Sequence, residues 1–116
     1  MKARILVVED NALVAFELCR ALDAAGFEIV GPARTVGSAL RLIKEHRCEA
    51  AVLDIQLRGE TADAVAHVLK ALSIPFMTMT GYARTERPPI FEGIRHFTKP
   101  VPSSLVVSAL RKMVGG

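Results

Sequence analysis

Ile5-Leu6-Val7-Val8-Glu9-Asp10 is the stretch on which the fold turns: four aliphatic residues in succession, stopped by two carboxylates. A run this short has the length of a strand, and an unbroken apolar strand is one buried on both faces, as in a parallel sheet. A first strand is therefore expected from about Arg4 to Val8. Working outward, the same kind of run recurs at Phe27 to Val30, closed by Gly31-Pro32, and at Ala50 to Leu53, ending directly in Asp54. It returns at Phe76 to Met79, ending in Thr80-Gly81, and at Arg95 to Thr98, followed by Lys99-Pro100.

Helix-periodic stretches separate these runs. One extends from about Ala12 to Ala25, with Val14, Leu18, Leu22 and Ala25 facing inward and Gly26 as its stop. Val36, Ala39, Leu40 and Ile43 have the i, i+3, i+4, i+7 spacing of a second, with Thr35 or Ser38 near its start. A third follows the Arg58-Gly59 loop through Val65, Val68, Leu69 and Leu72. The last carries Leu105 or Val106, Ala109, Leu110 and Met113. Strands alternating with helices predict an α/β domain with a parallel sheet. The exception is Tyr82 to Gly93, where Pro88-Pro89 stands in the middle of the expected crossover. Proline removes a backbone donor and clashes with the turn before it, so the fourth helix is expected to be short, beginning near Pro88, or absent.

Composition agrees with one domain of this kind. The 116 residues are 51% hydrophobic and 23% charged, which suits a packed core and excludes disorder. Aromatics are scarce and there is no Trp, leaving Val, Leu, Ile and Ala to do the packing. Cys19 and Cys48 sit in apolar patterns and are read as free thiols in a reducing cytoplasm. The apolar run after the basic Met1-Lys2-Ala3-Arg4 is too short for a signal peptide or a membrane span. A net charge of +3 raises nucleic acid as a partner. The basic residues are scattered, however, and the densest group, Arg41, Lys44 and Arg47, fits the solvated face of one helix. No nucleic-acid motif accompanies it, which argues against direct binding.

Right-handed crossovers make the strands parallel and gather their carboxyl ends on one edge, the ligand-binding edge of open α/β sheets. The residues there are Glu9-Asp10, Asp54, Thr80 and Lys99. Three carboxylates packed together repel unless a cation neutralises them, and Mg²⁺ is a hard ion suited to such oxygens. A carboxylate is a competent nucleophile toward phosphorus, and phosphoryl transfer needs mainly positioning and charge neutralisation. Each residue alone has an ordinary explanation: an acidic pair as a helix cap, a threonine as a strand former, Lys-Pro as a loop. Their joint placement at successive strand ends is the signal.

Four motifs, Ile5-Leu6-Val7-Val8-Glu9-Asp10, Ala51-Val52-Leu53-Asp54, Met79-Thr80-Gly81-Tyr82 and Phe97-Thr98-Lys99-Pro100, give the chain a resemblance to the receiver domain of two-component response regulators. The likeness spans essentially residues 1–116, expected to form one receiver domain. It implies the flavodoxin-like doubly wound five-stranded sheet, in strand order 2-1-3-4-5. It also implies that Asp54 accepts phosphate from a sensor histidine kinase or histidine phosphotransferase. Glu9, Asp10, Asp54 and the backbone carbonyl of Gln56 would bind Mg²⁺, with Thr80 and Lys99 on the phosphoryl group. Gln56 and Tyr82 match positions that tune dephosphorylation. Receivers generally place Tyr or Phe three residues before the lysine as a rotating switch beside the threonine. Here that position is His96, with Phe97 expected on the opposite face of the strand. A histidine there could still turn toward Thr80 and would be sensitive to pH.

The resulting expectation is a stand-alone cytoplasmic phosphoacceptor, not an enzyme, signalling through an unidentified downstream protein as a monomer or a phosphorylation-dependent dimer. Met1 and Gly115-Gly116 are compatible with a complete chain of that kind. A phosphate sink or shuttle for a shared kinase is the nearest alternative. A phosphatase with an aspartyl nucleophile generally needs a second acid two residues on, where this chain has Gln56. A nucleic-acid-binding protein of lapsed chemistry would not be expected to keep Glu9, Asp10, Asp54, Thr80 and Lys99 together.

Overall fold

A computed structural model describes residues 2–81 and 88–115. Seven strands occur among them: β1 (Arg4–Val8), β2 (Glu28–Ala33), β3 (Ala50–Asp54), β4 (Gln56–Leu57), β5 (Glu60–Thr61), β6 (Phe76–Thr80) and β7 (His96–Thr98). Four α-helices alternate with them: α1 (Ala12–Ala24), α2 (Val36–Glu45), α3 (Asp63–Ala71) and α4 (Ser103–Met113). The five longer strands pair in parallel in the order β2-β1-β3-β6-β7. Counted by themselves, that is the expected 2-1-3-4-5 arrangement of the flavodoxin-like fold.

The alternation of side chains along a strand divides the core into two layers. Leu6 and Val8 of β1 and Ala51 and Leu53 of β3 join Ile43, Val65, Leu69 and Phe91 beneath α2 and α3. Ile5, Val7, Ala50 and Val52 join Leu18, Leu22, Val106 and Leu110 beneath α1 and α4. Of the two alternatives at the last helix, Val106 is buried and Leu105 is exposed. Cys48 belongs to the first layer and Cys19 packs against the second, so the sheet separates two free thiols. Burial raises the pKa of both. Arg41, Lys44 and Arg47 are exposed, as a solvated face requires.

The helix starts follow local chemistry. Asn11 caps α1 by accepting from the Val14 amide at 3.1 Å. Thr35 and Ser38, both candidates at the sequence level, form a reciprocal capping box at the start of α2.

Three features depart from expectation. β2 does not stop at Gly31-Pro32 but runs on to Ala33, with the register to β1 slipping between Leu6↔Val30 and Val8↔Ala33. Proline is tolerated because β2 is an edge strand. Gly31 is required because its φ is +105° and a Cβ would lie 2.8 Å from the Ala33 nitrogen. The segment after Asp54 is not a plain loop: β4 and β5 form an antiparallel hairpin that turns at Arg58-Gly59. Finally, α3 ends at Ala71, which leaves Leu72 exposed rather than inward. Around the two prolines, the described residues contain a single 3₁₀ turn, Pro89–Phe91, with Pro88 as its cap. From Pro88 onward that agrees with the expectation of a short helix at most; residues 82–87 of the expected crossover lie outside the described residues. No helix among the described residues is long and apolar enough to cross a membrane.

Candidate functional site

The carboxyl ends of β1, β3, β6 and β7 deliver the site. Asp54 is the last residue of β3, Thr80 the last of β6, and Glu9 and Lys99 directly follow β1 and β7. An open cavity of about 440 Å³ there is lined by Asp10, Asn11, Asp54, Gln56, Thr80, Gly81 and Lys99. The residues singled out from sequence at Glu9, Asp10, Asp54, Gln56, Thr80 and Lys99 are thus brought together. Tyr82 lies outside the described residues.

Lys99 ties the acids to one another. Its Nζ lies 2.6 Å from Glu9 Oε1 and 2.7 Å from Asp54 Oδ2. The remaining carboxylate oxygens meet backbone donors: the Asn11 amide donates to Glu9 Oε2 at 2.9 Å and the Gln56 amide to Asp54 Oδ1 at 3.0 Å. Glu9 is fully buried and Asp54 is 4% exposed, so these are charge-assisted bonds in a poorly hydrated place. Burial raises the Glu9 carboxyl above its ordinary 4.5; the Lys99 and Asn11 hydrogen bonds oppose the rise and the nearby Asp54 charge adds to it. Burial by itself would lower the Lys99 ammonium, but its bonds to Asp54 and Glu9 outweigh that and raise it above 10.5.

Glu9, Asp10 and Asp54 each offer a carboxylate oxygen within 4.8 Å of the others. Against three negative charges stands one ammonium, leaving two uncompensated. A hard dication with oxygen ligands matches both the donor type and that deficit.

Beside this cluster His96 turns toward β6. The register pairs it with Thr78, and Phe97 with Met79. His96 therefore lies on the Thr78 and Thr80 face, while Phe97 packs in the layer under α1 and α4. The ring nitrogens lie 2.8 Å (Nδ1) from Thr78 Oγ1 and 3.3 Å (Nε2) from Thr80 Oγ1. Thr78 is a polar contributor that the sequence reading missed. The available signal was its place two residues before Thr80, on the same strand face.

No family model matches the chain. The phyllosphere-induced regulator PhyR of Methylorubrum extorquens is 31% identical, aligning over 95% of this chain and 44% of the regulator. The chain spans about half the length of the curated relatives it matches. The solution structure of SdrG from Sphingomonas melonis Fr1 is 33% identical, with 97% of each chain covered and a TM-score of 0.83. A CheY-like response regulator receiver domain protein from Methanospirillum hungatei JF-1 superposes at a TM-score of 0.89 over 99% of this chain and 95% of that one. At 22% identity, that last likeness speaks to the fold alone.

Proposed function

Because the chain belongs to the receiver-domain family of two-component response regulators, we propose that Asp54 is its phosphoacceptor and that phosphorylation switches its binding to a protein partner. The observation that carries this is the Lys99 ammonium held 2.7 Å from Asp54 Oδ2 and 2.6 Å from Glu9 Oε1, at the rim of an open cavity. In the reaction an Asp54 oxygen bonds to phosphorus as the phosphorus–nitrogen bond of a phosphohistidine breaks. The phosphoryl group passes to the aspartate and the donor imidazole leaves with the electron pair.

Glu9, Asp10, Asp54 and the Gln56 carbonyl would hold Mg²⁺, which when bound neutralises the charge of the transferred group. The chain's own residues do the rest. The Gln56 amide and Lys99 orient the Asp54 carboxylate, and Lys99 offers positive charge to the incoming phosphoryl oxygens. Thr80, a buried residue at the cavity wall, donates its hydroxyl proton to one of those oxygens once they arrive. Gln56 and Tyr82 would tune the rate at which water later removes the group, and His96 is the switch residue. The donor is a histidine kinase or histidine phosphotransferase. Leu13 and Phe16, exposed on α1 next to the cavity-lining Asn11, are apolar surface of the kind a protein partner covers. The proposed mode is that of a cytoplasmic receiver signalling through contacts with another protein.

Incubation with acetyl phosphate tests the reading. One added phosphoryl group is expected with Mg²⁺ and none in excess chelator, and Asp54→Asn is expected to abolish it. Modification that ignores Mg²⁺, or that persists in Asp54→Asn, overturns the assignment.

A further inference from the structure

Thr78 is fully buried in the middle of β6, on a strand whose neighbouring residues are Met77 and Met79. A hydroxyl in such a place has to be hydrogen-bonded, and its partners are two: His96 Nδ1 at 2.8 Å and the Arg95 carbonyl at 3.4 Å. The carbonyl can only accept, so the Thr78 proton goes there and its oxygen receives Nδ1–H from the ring. The opposite assignment, with Thr78 donating to Nδ1, leaves the buried oxygen's lone pairs unmatched. With the ring proton on Nδ1, the neutral imidazole presents Nε2 as an acceptor, and the Thr80 hydroxyl lies 3.3 Å from it.

We propose that Thr78 is a positioning residue for Thr80, acting through His96: it sets the ring's tautomer and thereby the direction of the Thr80 O–H proton. The inference rests on Asp54 being the phosphoacceptor. At rest the proton points along the sheet to Nε2, away from the cavity. A phosphoryl oxygen on Asp54 competes with Nε2 for that same proton. The threonine hydroxyl can serve one acceptor or the other, so occupation of Asp54 is registered as the loss of a hydrogen bond at His96. Tyrosine or phenylalanine in this position offers no ring nitrogen to accept the proton. Thr78 and His96 therefore work as a pair.

Ring ¹⁵N chemical shifts of His96 test this at a pH where the ring is neutral. In the unmodified protein Nδ1 is expected to be protonated and Nε2 bare. Thr78→Val, which exchanges the hydroxyl for a methyl of similar size, is expected to abolish that preference, and Thr78→Ser to retain it. Addition of Mg²⁺ and beryllofluoride, a stable phosphoryl mimic, is expected to shift the Nε2 signal together with the Gln56 amide. A resting ring protonated on Nε2, or identical ring shifts in Thr78→Val, overturns the role of Thr78. If the Gln56 amide does not respond, the phosphoacceptor reading fails. A Gln56 response with an unmoved Nε2 leaves that reading standing and overturns this one.

Discussion

Glu9, Asp10 and Asp54 carry more negative charge than Lys99 returns, and each residue's contribution follows from that imbalance. Asp10, the partly exposed member, has no part in the Lys99 ion pairs, so neutralising it relieves repulsion without orphaning a buried partner. Asp10→Asn is expected to stabilise the metal-free protein by about 1 kcal/mol, or about 4 °C in melting temperature. That gain should disappear in saturating Mg²⁺, where the wild type is stabilised by binding and the variant is not. Thermal melts in chelator and in Mg²⁺ measure both. Glu9 adds a pH dependence to the metal-free melts. Its folded pKa is raised, so the fold binds the proton more tightly than the unfolded chain does. Stability from this group therefore rises as pH falls through the folded pKa, and levels off below 4.5. At this scale the sequence was legible for the residues at the carboxyl ends of β1, β3, β6 and β7, because a parallel sheet leaves those side chains only one place to go. Thr78 was not legible. Taken alone it is a β-forming residue within an apolar strand, and only its pairing with His96 gives the hydroxyl a purpose.

Among the elements, β2 and the hairpin after Asp54 show what periodicity leaves out. Gly31-Pro32 reads locally as a stop, yet backbone pairing to β1 continues across it through a register slip. Long-range pairing overrode the local signal. The slip depends on Gly31, whose positive φ and close approach to Ala33 and Val7 leave no space for a side chain. Gly31→Ala is expected to cost about 2 kcal/mol, measured by urea unfolding. Gly26→Ala is the contrast: that position also has positive φ but nothing within 4 Å of the added Cβ, so its loss is expected to be smaller. The β4–β5 hairpin was hidden for a different reason. Strands of two residues are too short to produce an alternation, so only the Arg58-Gly59 turn was visible beforehand.

For the molecule as a whole, the two-layer division follows from alternation within strands buried on both faces. It was legible as soon as the strands were, since Ile5 and Leu6 cannot point the same way. The division predicts how core damage combines. Val65 on α3 and Val106 on α4 are buried on opposite sides of the sheet. Val65→Ala and Val106→Ala should each cost about 2 kcal/mol. In the double variant the costs should add to within about 0.5 kcal/mol, because the two cavities share no lining. Chemical denaturation of the three variants checks this. A marked departure from additivity would show that the sheet transmits repacking from one layer to the other.

Lys99 and His96 both hang on β7, an outer strand of three residues paired on one side only. Such a strand opens more readily than the central β1 and β3. When it lifts, Glu9 and Asp54 lose their counter-charge and Thr80 loses its imidazole in the same event. The chemistry of the first strand end is thus completed from the far side of the sheet, by a segment synthesised about ninety residues after Glu9. A growing chain carries its acids long before it carries the cation that makes them useful. Under the proposed function the site becomes competent only when the last strand docks, and phosphoacceptance would double as a report that the sheet is fully assembled.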